Sequence, residues 1–190
     1  FLDYPLEGSG TSFAGESRAA TFVLSGLSKT AGLPQMKLGW IVAGGPAGWR
    51  DQALDRLEVI ADTYLSVGTP IQRALPRLLA GREAIQSQIL ARVCANLGRL
   101  DEHLARQTLC ERLVVEGGWS VVLRVPQIHT DEEWALELVE RDGVLVHPGH
   151  FFSFAREGYL VASLIVPEEV FDQGIARLLA RVEERGKAVD

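Results

Sequence analysis

Residues 25–40 read SGLSKTAGLPQMKLGW, and they are the most informative segment of the chain. A short continuous apolar run, residues 20–25, leads into this segment and is typical of a strand buried in a parallel sheet. Glycine and proline punctuate the residues that follow, which predicts a loop. Lys29 therefore comes just after the end of a buried strand, where α/β proteins commonly bind their ligands.

Lysine in such a loop can do covalent chemistry. If Lys29 is shielded from water, its amine can lose its proton and attack a carbonyl carbon. Ser25 and Ser28 flank it and offer hydroxyl donors. Lys37 lies eight residues further on and can return to the same site as a counter-charge for a phosphate.

The chain after this segment alternates between strands and helices. Residues 38–43 form a second apolar run, which predicts a second buried strand of the parallel type. Apolar residues then recur at helical spacing over 47–64, around 71–79 and, in the longest periodic segment, over 83–107.

The period shortens after Gly117-Gly118, where the smaller elements begin. The pattern predicts strands at 119–125, 144–146 and 159–166, and helices at 131–141 and 168–185. This alternation predicts an α/β or α+β fold. We expect two units, residues 1–68 and residues 69–190, the second containing the long helix.

Composition restricts the functional classes. The chain has 190 residues, of which 47% are apolar and 23% charged, so a packed core is expected and disorder is not. A net charge of −6 without a basic block argues against nucleic acid and against an anionic membrane surface. No apolar stretch approaches the roughly 18 residues of a membrane span. No secretory leader pattern is visible, so we expect a cytoplasmic protein.

Metal ligation is not predicted either. The four histidines have no ligand spacing supported by cysteine or carboxylate. Cys94 and Cys110 form no CxxC motif, and we expect buried thiols, with a disulfide between them as the alternative.

Motifs along almost the whole chain share one resemblance. Residues 25–40 follow the order Ser-Lys, Gly-Leu-Pro, a basic residue and Gly-Trp. Residues 64–72, 116–119 and 143–152 carry further motifs, among them GVLVHPG followed by Phe152. This order resembles the class I/II aminotransferases, which are fold-type-I enzymes that use pyridoxal 5′-phosphate (PLP). The resemblance implies an α/β remnant of the family's large domain, with the cofactor-lysine loop, followed by its small α/β C-terminal domain.

The resemblance also implies residue roles. Lys29 takes the place of the lysine that forms a Schiff base with PLP and then moves a proton between the substrate α-carbon and the cofactor. Lys37 takes the place of the basic residue that contacts the phosphate, where arginine is the commoner choice. Ser25 and Ser28 are the accompanying cofactor-binding residues.

Two positions depart from the family pattern. Gly26 stands where a phosphate-binding serine is common, with Ser25 one residue earlier. Val161 stands where the family carries an arginine that binds the substrate α-carboxylate, and Arg156 is a nearby candidate to replace it. His147 and His150 bracket a Pro-Gly turn that borders the active site in the family, which makes them candidate substrate contacts.

The remaining expectations concern the whole protein. In the family, most of the cofactor pocket precedes the lysine, and Phe1 resembles the aromatic place of an Asp-Glu-x-aromatic motif. We therefore expect a C-terminal fragment of an aminotransferase that is inactive alone, with weak PLP binding at most. The parent protein is expected to be a homodimer that acts on amino acids and 2-oxo acids.

Two other functions fit the same resemblance. One is a PLP-dependent lyase of the same fold that cleaves a C–S or C–C bond, which the Val161 departure favours. The other is a non-catalytic, aminotransferase-like effector domain of a transcription regulator.

Overall fold

The structure, a computed structural model, describes residues 2–187. Phe1, with its expected aromatic role, lies outside the described residues. Contacts divide the chain into two compact units: unit 1 comprises residues 2–3 and 9–88, and unit 2 comprises residues 4–8 and 89–187 as far as they are described. The division passes through a long helix, and the domain boundary expected between residues 68 and 69 stays a prediction.

Unit 1 is built on a two-stranded ribbon. Strands β1 (Thr21–Gly26) and β2 (Gly39–Gly44) pair along their whole length, from Thr21 opposite Gly44 to Gly26 opposite Gly39. Between them lie the one-turn helix α1 (Leu27–Thr30) and a 3-10 turn (Pro34–Met36). Helices α2 (Ala47–Asp62) and α3 (Thr69–Ala80) follow, and α4 (Arg82–Leu104) begins in this unit.

The strand prediction for unit 1 was correct in position but wrong in direction and burial. β1 and β2 are antiparallel, and Phe22, Leu24 and Ile41 are exposed, Leu24 to 75%. A continuous apolar run indicates that both faces are apolar, but it does not specify the direction of the neighbouring strand. The lysine loop between the strands reverses the chain and so pairs them as antiparallel neighbours.

The core of unit 1 lies around the lysine loop. Leu27, Ala31 and Leu38 are buried, and partly buried residues from the loop and from α3 pack against them: Leu33, Met36, Trp40, Val67, Ile71, Leu75, Leu78 and Leu79. The apolar stripe that predicted a helix around residues 71–79 is therefore the face of α3 that packs on this loop.

Unit 2 contains a four-stranded antiparallel sheet in the order β3-β4-β6-β5. The strands are β3 (Glu111–Arg112), β4 (Ser120–Arg124), β5 (His147–Pro148) and β6 (Tyr159–Ser163). The helices are the later part of α4, α5 (Asp131–Glu137), which continues into a π-helical turn (Leu138–Asp142), and α6 (Glu168–Lys187).

The helices of unit 2 confirm the sequence pattern. Val93, Leu97 and Leu100 on α4 are buried, as are Phe171, Ile175, Leu178 and Val182 on α6. Thr130 and Glu133 form a capping box at the start of α5, and acidic residues fill its first turn. Asn96 is fully buried, and its Nδ2 donates to the carbonyl oxygens of Leu164 and Val166, each at 2.9 Å.

Two strand predictions for unit 2 need correction. Residues 144–146 are not a strand, because the ladder with β6 pairs His147 with Val161 and Pro148 with Leu160 instead. Three apolar residues in a row indicate burial but carry no register. β3 was not predicted, since two charged residues show no strand pattern. The mixed α/β fold class itself is confirmed.

No helix within residues 2–187 has the length and apolar character that a membrane span requires.

Candidate functional site

The four residues that the lysine motif singles out line one cavity of unit 1. Ser25, Ser28, Lys29 and Lys37 border a space of about 480 Å³. That volume lies within the range of roughly 300–1,000 Å³ typical of small-molecule sites. The structure therefore brings together two ammonium groups and two hydroxyl groups that are up to twelve residues apart in the chain.

The lysine turn is fixed by its backbone. Leu27, whose side chain is fully buried, donates its N–H to the carbonyl of Leu38 at 3.0 Å. The carbonyl of Leu27 accepts from the N–H groups of Ala31 at 3.1 Å and Leu33 at 3.0 Å. Lys29 lies in this turn with an exposed side chain. The described residues therefore do not shield it from water.

A chain of hydroxyl groups runs beside the lysine. The hydroxyl of Thr30 donates to Oδ2 of Asp3 at 3.0 Å, and it lies 3.2 Å from Oγ of Ser25. Thr30 has a single hydroxyl proton, so Ser25 is the donor in the second bond. Gln86 Nε2 donates to the Thr30 carbonyl at 2.7 Å.

This hydroxyl chain was not predicted from the sequence. Asp3 and Gln86 lie 27 and 56 residues from Thr30 along the chain, so no local pattern links them to it. Asp3 also lines the cavity and is its one acidic residue among those described. To bind an anion, the Ser25 hydroxyl would have to turn its proton away from Thr30.

Lys37 has an unusual backbone. It ends the 3-10 turn with φ 49° and ψ 40°, in the left-handed region that few residues other than glycine adopt. Only one other described non-glycine residue, Ser153, has a positive φ. Strain of this kind concentrates at binding sites, and here it falls on the residue expected to meet a phosphate.

Two glycines allow close approach of the strand ends that border the cavity. Gly26 and Gly39 pair with each other across the ribbon, and both line the cavity. A Cβ on Gly26 would lie 2.9 Å from the Leu38 carbonyl oxygen, and one on Gly39 would lie 3.1 Å from the Ser25 carbonyl oxygen. The strands thus approach too closely for side chains at these positions.

The donor set fits a phosphorylated aldehyde such as PLP. Lys29 carries a primary amine, the group that reacts with a carbonyl carbon, and a second cation, on Lys37, can balance the charge of a phosphate. Ser28 and Ser25 add hydroxyl donors. These residues would hold the lysine side and the phosphate side of the cofactor.

Arg156, the candidate carboxylate-binding residue, lies in unit 2 in the loop before β6. Val161, at the position of the family's arginine, is buried at 5% exposure and pairs with Val122 and His147. His147 lines an apolar cavity of about 410 Å³, which Val161 also lines. The His150 ring makes an edge contact with Phe151, the ring centroids being 4.8 Å apart.

No group of three or more metal-ligating side chains occurs within the described part of the chain. Both cysteines are free, and Cys94 is exposed rather than buried as expected. Cys110 is buried, and its burial raises the pKa of the thiol to about 12.

Fold and site together define a mixed α/β protein with a lysine-bearing loop that borders a cavity. The chain belongs to the class I and II aminotransferases: the family model described as "Aminotransferase class I and II" matches residues 8–178.

Curated relatives match parts of the chain. A stretch of 54 residues is 44% identical to the LL-diaminopimelate aminotransferase of Dehalococcoides mccartyi, which covers 28% of this chain and 14% of that protein. A longer stretch of 145 residues is 26% identical to the glutamate-pyruvate aminotransferase of Haemophilus influenzae, covering 70% of this chain and 35% of that protein. The matched stretches thus cover at most 35% of the length of these two relatives.

Solved structures share the fold over almost the whole chain. An aminotransferase from Escherichia coli superposes with a TM-score of 0.83 at 19% identity, covering 95% of this chain and 46% of that one. A probable N-succinyldiaminopimelate aminotransferase from Thermus thermophilus gives a TM-score of 0.79 at 22% identity, covering 94% and 47%.

Proposed function

We propose that this chain carries the cofactor-lysine part of an aminotransferase that moves an amino group between an amino acid and a 2-oxo acid, with PLP as cofactor. The observation that supports it most directly is the single cavity lined by Ser25, Ser28, Lys29 and Lys37 in a chain of this family. The chemistry that PLP supplies when bound is electron withdrawal from the substrate carbon that loses its proton.

Each residue of the cavity has a proposed task. Lys29 would offer the amine that holds the cofactor, and its Nζ would move a proton from the substrate α-carbon to the cofactor. Lys37 balances the phosphate charge as a point cation. Ser25 and Ser28 donate hydroxyl protons to the phosphate. Thr30, held by Asp3 and Gln86, keeps the lysine turn in place.

We further propose that the 190-residue chain alone binds PLP weakly and does not transaminate. Its cavity provides one amine, one further cation and two hydroxyls, and Lys29 is exposed rather than enclosed. Full activity would depend on a parent protein about twice as long, as the solved relatives are. Assembly of that protein as a cytoplasmic homodimer is part of the same proposal and follows from the family resemblance.

The three lysines of the chain provide the test. The protein is incubated with excess PLP, reduced with borohydride, digested, and mapped by mass spectrometry. Label should favour Lys29 about tenfold over Lys187, whose side chain is 73% exposed and belongs to no cavity lining described above. Equal labelling of Lys29 and Lys187 would show surface reactivity and contradict the proposed site. Stoichiometric labelling with turnover of amino acids would contradict the inactivity of the isolated chain.

The buried Val161 favours a second candidate function, that of a PLP-dependent lyase that cleaves C–S or C–C bonds. No cation lies at that position to bind an α-carboxylate in the way the family does. Assays on the full-length protein would separate the two: a requirement for a 2-oxo acid supports transfer, whereas release of ammonia or thiol without one supports cleavage.

A further inference from the structure

A short segment near the start of the chain passes from one unit to the other and back. Asp3 belongs to unit 1, residues 4–8 belong to unit 2, and the chain returns to unit 1 at Ser9. We call residues 4–8 the strap. The tasks proposed above for the cavity residues involve none of the strap residues, although the strap joins the two units covalently.

Backbone hydrogen bonds dock the strap on residues 115–118 of unit 2. These bonds are between 2.8 and 3.3 Å long, and their donors are the N–H groups of Leu6, Glu7, Gly8 and Gly118. The two segments run antiparallel, with Pro5 opposite Gly117. The strap therefore pairs with unit 2 in the way that one antiparallel β-strand pairs with another.

Side chains add to this docking. Tyr4 is fully buried, and its ring packs on the ring of Trp119 at a centroid distance of 5.2 Å. Oε2 of Glu7 accepts Nη1 of Arg112 at 2.8 Å, and Oε1 accepts Nη2 at 2.7 Å. Arg112 also donates through Nε to Asp101 on α4 at 2.5 Å, so the guanidinium is held on two sides. The buried ring and the two-fold ion pair together fix the strap within unit 2.

The residue that precedes the strap holds the lysine turn of unit 1. Oδ2 of Asp3 accepts the hydroxyl of Thr30 at 3.0 Å, and Thr30 follows Lys29 directly in the chain. Asp3 and Tyr4 share one peptide bond, so their Cα atoms stay about 3.8 Å apart. Docking of Tyr4 therefore restricts the conformations of Asp3. With the strap undocked, the bond to Thr30 would cost more conformational entropy.

We propose that the docked strap positions the lysine turn, with the bond between Asp3 and Thr30 as the link. Tyr4 and Glu7 are then positioning residues for Lys29, although they contact unit 2. The coupling is reciprocal, so loss of the link must weaken docking of the strap by the same factor by which undocking weakens the turn. The relevance of the coupling to catalysis rests on the proposed function, whereas the coupling itself needs no cofactor.

Hydrogen exchange measured by NMR tests the coupling. Thr30→Val removes the bond to Asp3 in unit 1, and the amides that dock the strap in unit 2 should then exchange about fivefold faster, the factor for one hydrogen bond of ordinary net strength. The reporting amides are those of Leu6, Glu7, Gly8 and Gly118. The amides of Val125 and Val144 bond elsewhere in unit 2 and should not change. Thr30→Ser keeps the hydroxyl and is the matched control, with an expected change of less than about twofold.

Double variants separate this coupling from general loosening of the fold. Asp3→Ala removes the other half of the same bond, so Asp3→Ala combined with Thr30→Val should speed the strap amides about fivefold, as each does alone. In the reverse direction, Tyr4→Ala should release the strap and speed exchange at Ala31 and Leu33 about fivefold. Adding Tyr4→Ala to Thr30→Val should leave these two amides at the rate of Thr30→Val, because the link is already broken. If Tyr4→Ala disrupts unit 2, the control amides report it and Thr30→Val alone decides.

Three outcomes would overturn the coupling: unchanged strap amides in Thr30→Val, equal acceleration of the two control amides, or an effect of about 25-fold in the Asp3→Ala/Thr30→Val chain, as two independent losses would give. The exchange measurements contain no PLP, so they do not depend on the proposed function. A chain that labels Lys29 selectively but shows no response of the strap keeps its proposed function and loses the coupling. A chain whose strap responds while Lys29 and Lys187 label equally keeps the coupling and loses the proposed function.

Discussion

Replacing Thr30 by valine should loosen the turn that holds Lys29. Valine keeps the shape of the side chain but removes the hydroxyl, which bonds to Ser25 at 3.2 Å and to Asp3 at 3.0 Å. A neutral bond contributes about 1 kcal/mol net, and we assign the bond to Asp3 about the same, because Asp3 is exposed and water can replace Thr30. The loss is therefore about 2 kcal/mol, which is about 30-fold in an opening equilibrium.

Hydrogen exchange measured by mass spectrometry reads this opening directly. The amides of Leu27, Ala31 and Leu33 form the bonds that close the turn, so a peptide covering residues 27–33 should exchange about 30-fold faster in Thr30→Val. Thr30→Ser keeps the hydroxyl and is the matched control, with an expected change of less than about threefold. Unchanged exchange in Thr30→Val, or equally fast exchange in both variants, would refute the structural role of the hydroxyl chain.

Three further predictions concern unit 2. Asn96→Ala should lower the free energy of unfolding by about 3 kcal/mol, because two buried carbonyl groups lose their donor; a loss below about 1 kcal/mol in urea titrations would contradict this. An aromatic disulfide reagent at pH 8 should modify Cys94 in the folded chain but Cys110 only after unfolding, since the pKa of Cys110 is about 12. Modification of both cysteines at the same rate in the folded chain, measured by mass spectrometry, would contradict this. Hydrogen bonding to Arg185 lowers the pKa of Glu137, so its stabilisation is present above the ordinary pKa of about 4.5 and is lost as pH falls below it. The stability gap between the natural chain and Glu137→Gln should therefore narrow from pH 7 to pH 3, and a constant gap in urea midpoints would argue against it.

The helices and the lysine loop could be predicted from sequence because their signals are local. The stripe on α4 and α6 follows helical spacing, and the loop of residues 25–40 is one contiguous motif. Its four candidate residues indeed share a cavity. Amphipathic spacing and turn residues are properties of neighbours in the chain, so they need no tertiary information.

The features that could not be predicted from the sequence depend on contacts between residues that are far apart in the chain. The direction of β2 relative to β1 follows from how the loop reverses, which an apolar run does not encode. In the sequence, Thr30 is one residue of a predicted loop. Its hydrogen bonds with Asp3 and Gln86 form only in the folded chain. The pairing of Arg124 with Tyr159 follows from the register of β4 and β6, which no local pattern specifies.

If Lys29 and Lys37 hold the same phosphate-bearing aldehyde, the rate at which PLP is trapped on Lys29 depends on the charge at position 37. The rate is measured with PLP and borohydride in the natural chain, in Lys37→Gln and in the control Lys187→Gln. Glutamine removes the positive charge of Lys37, whose backbone is left-handed, and keeps an unbranched polar side chain. We expect about tenfold slower trapping in Lys37→Gln and no change in Lys187→Gln. Equal rates in all three proteins would contradict it.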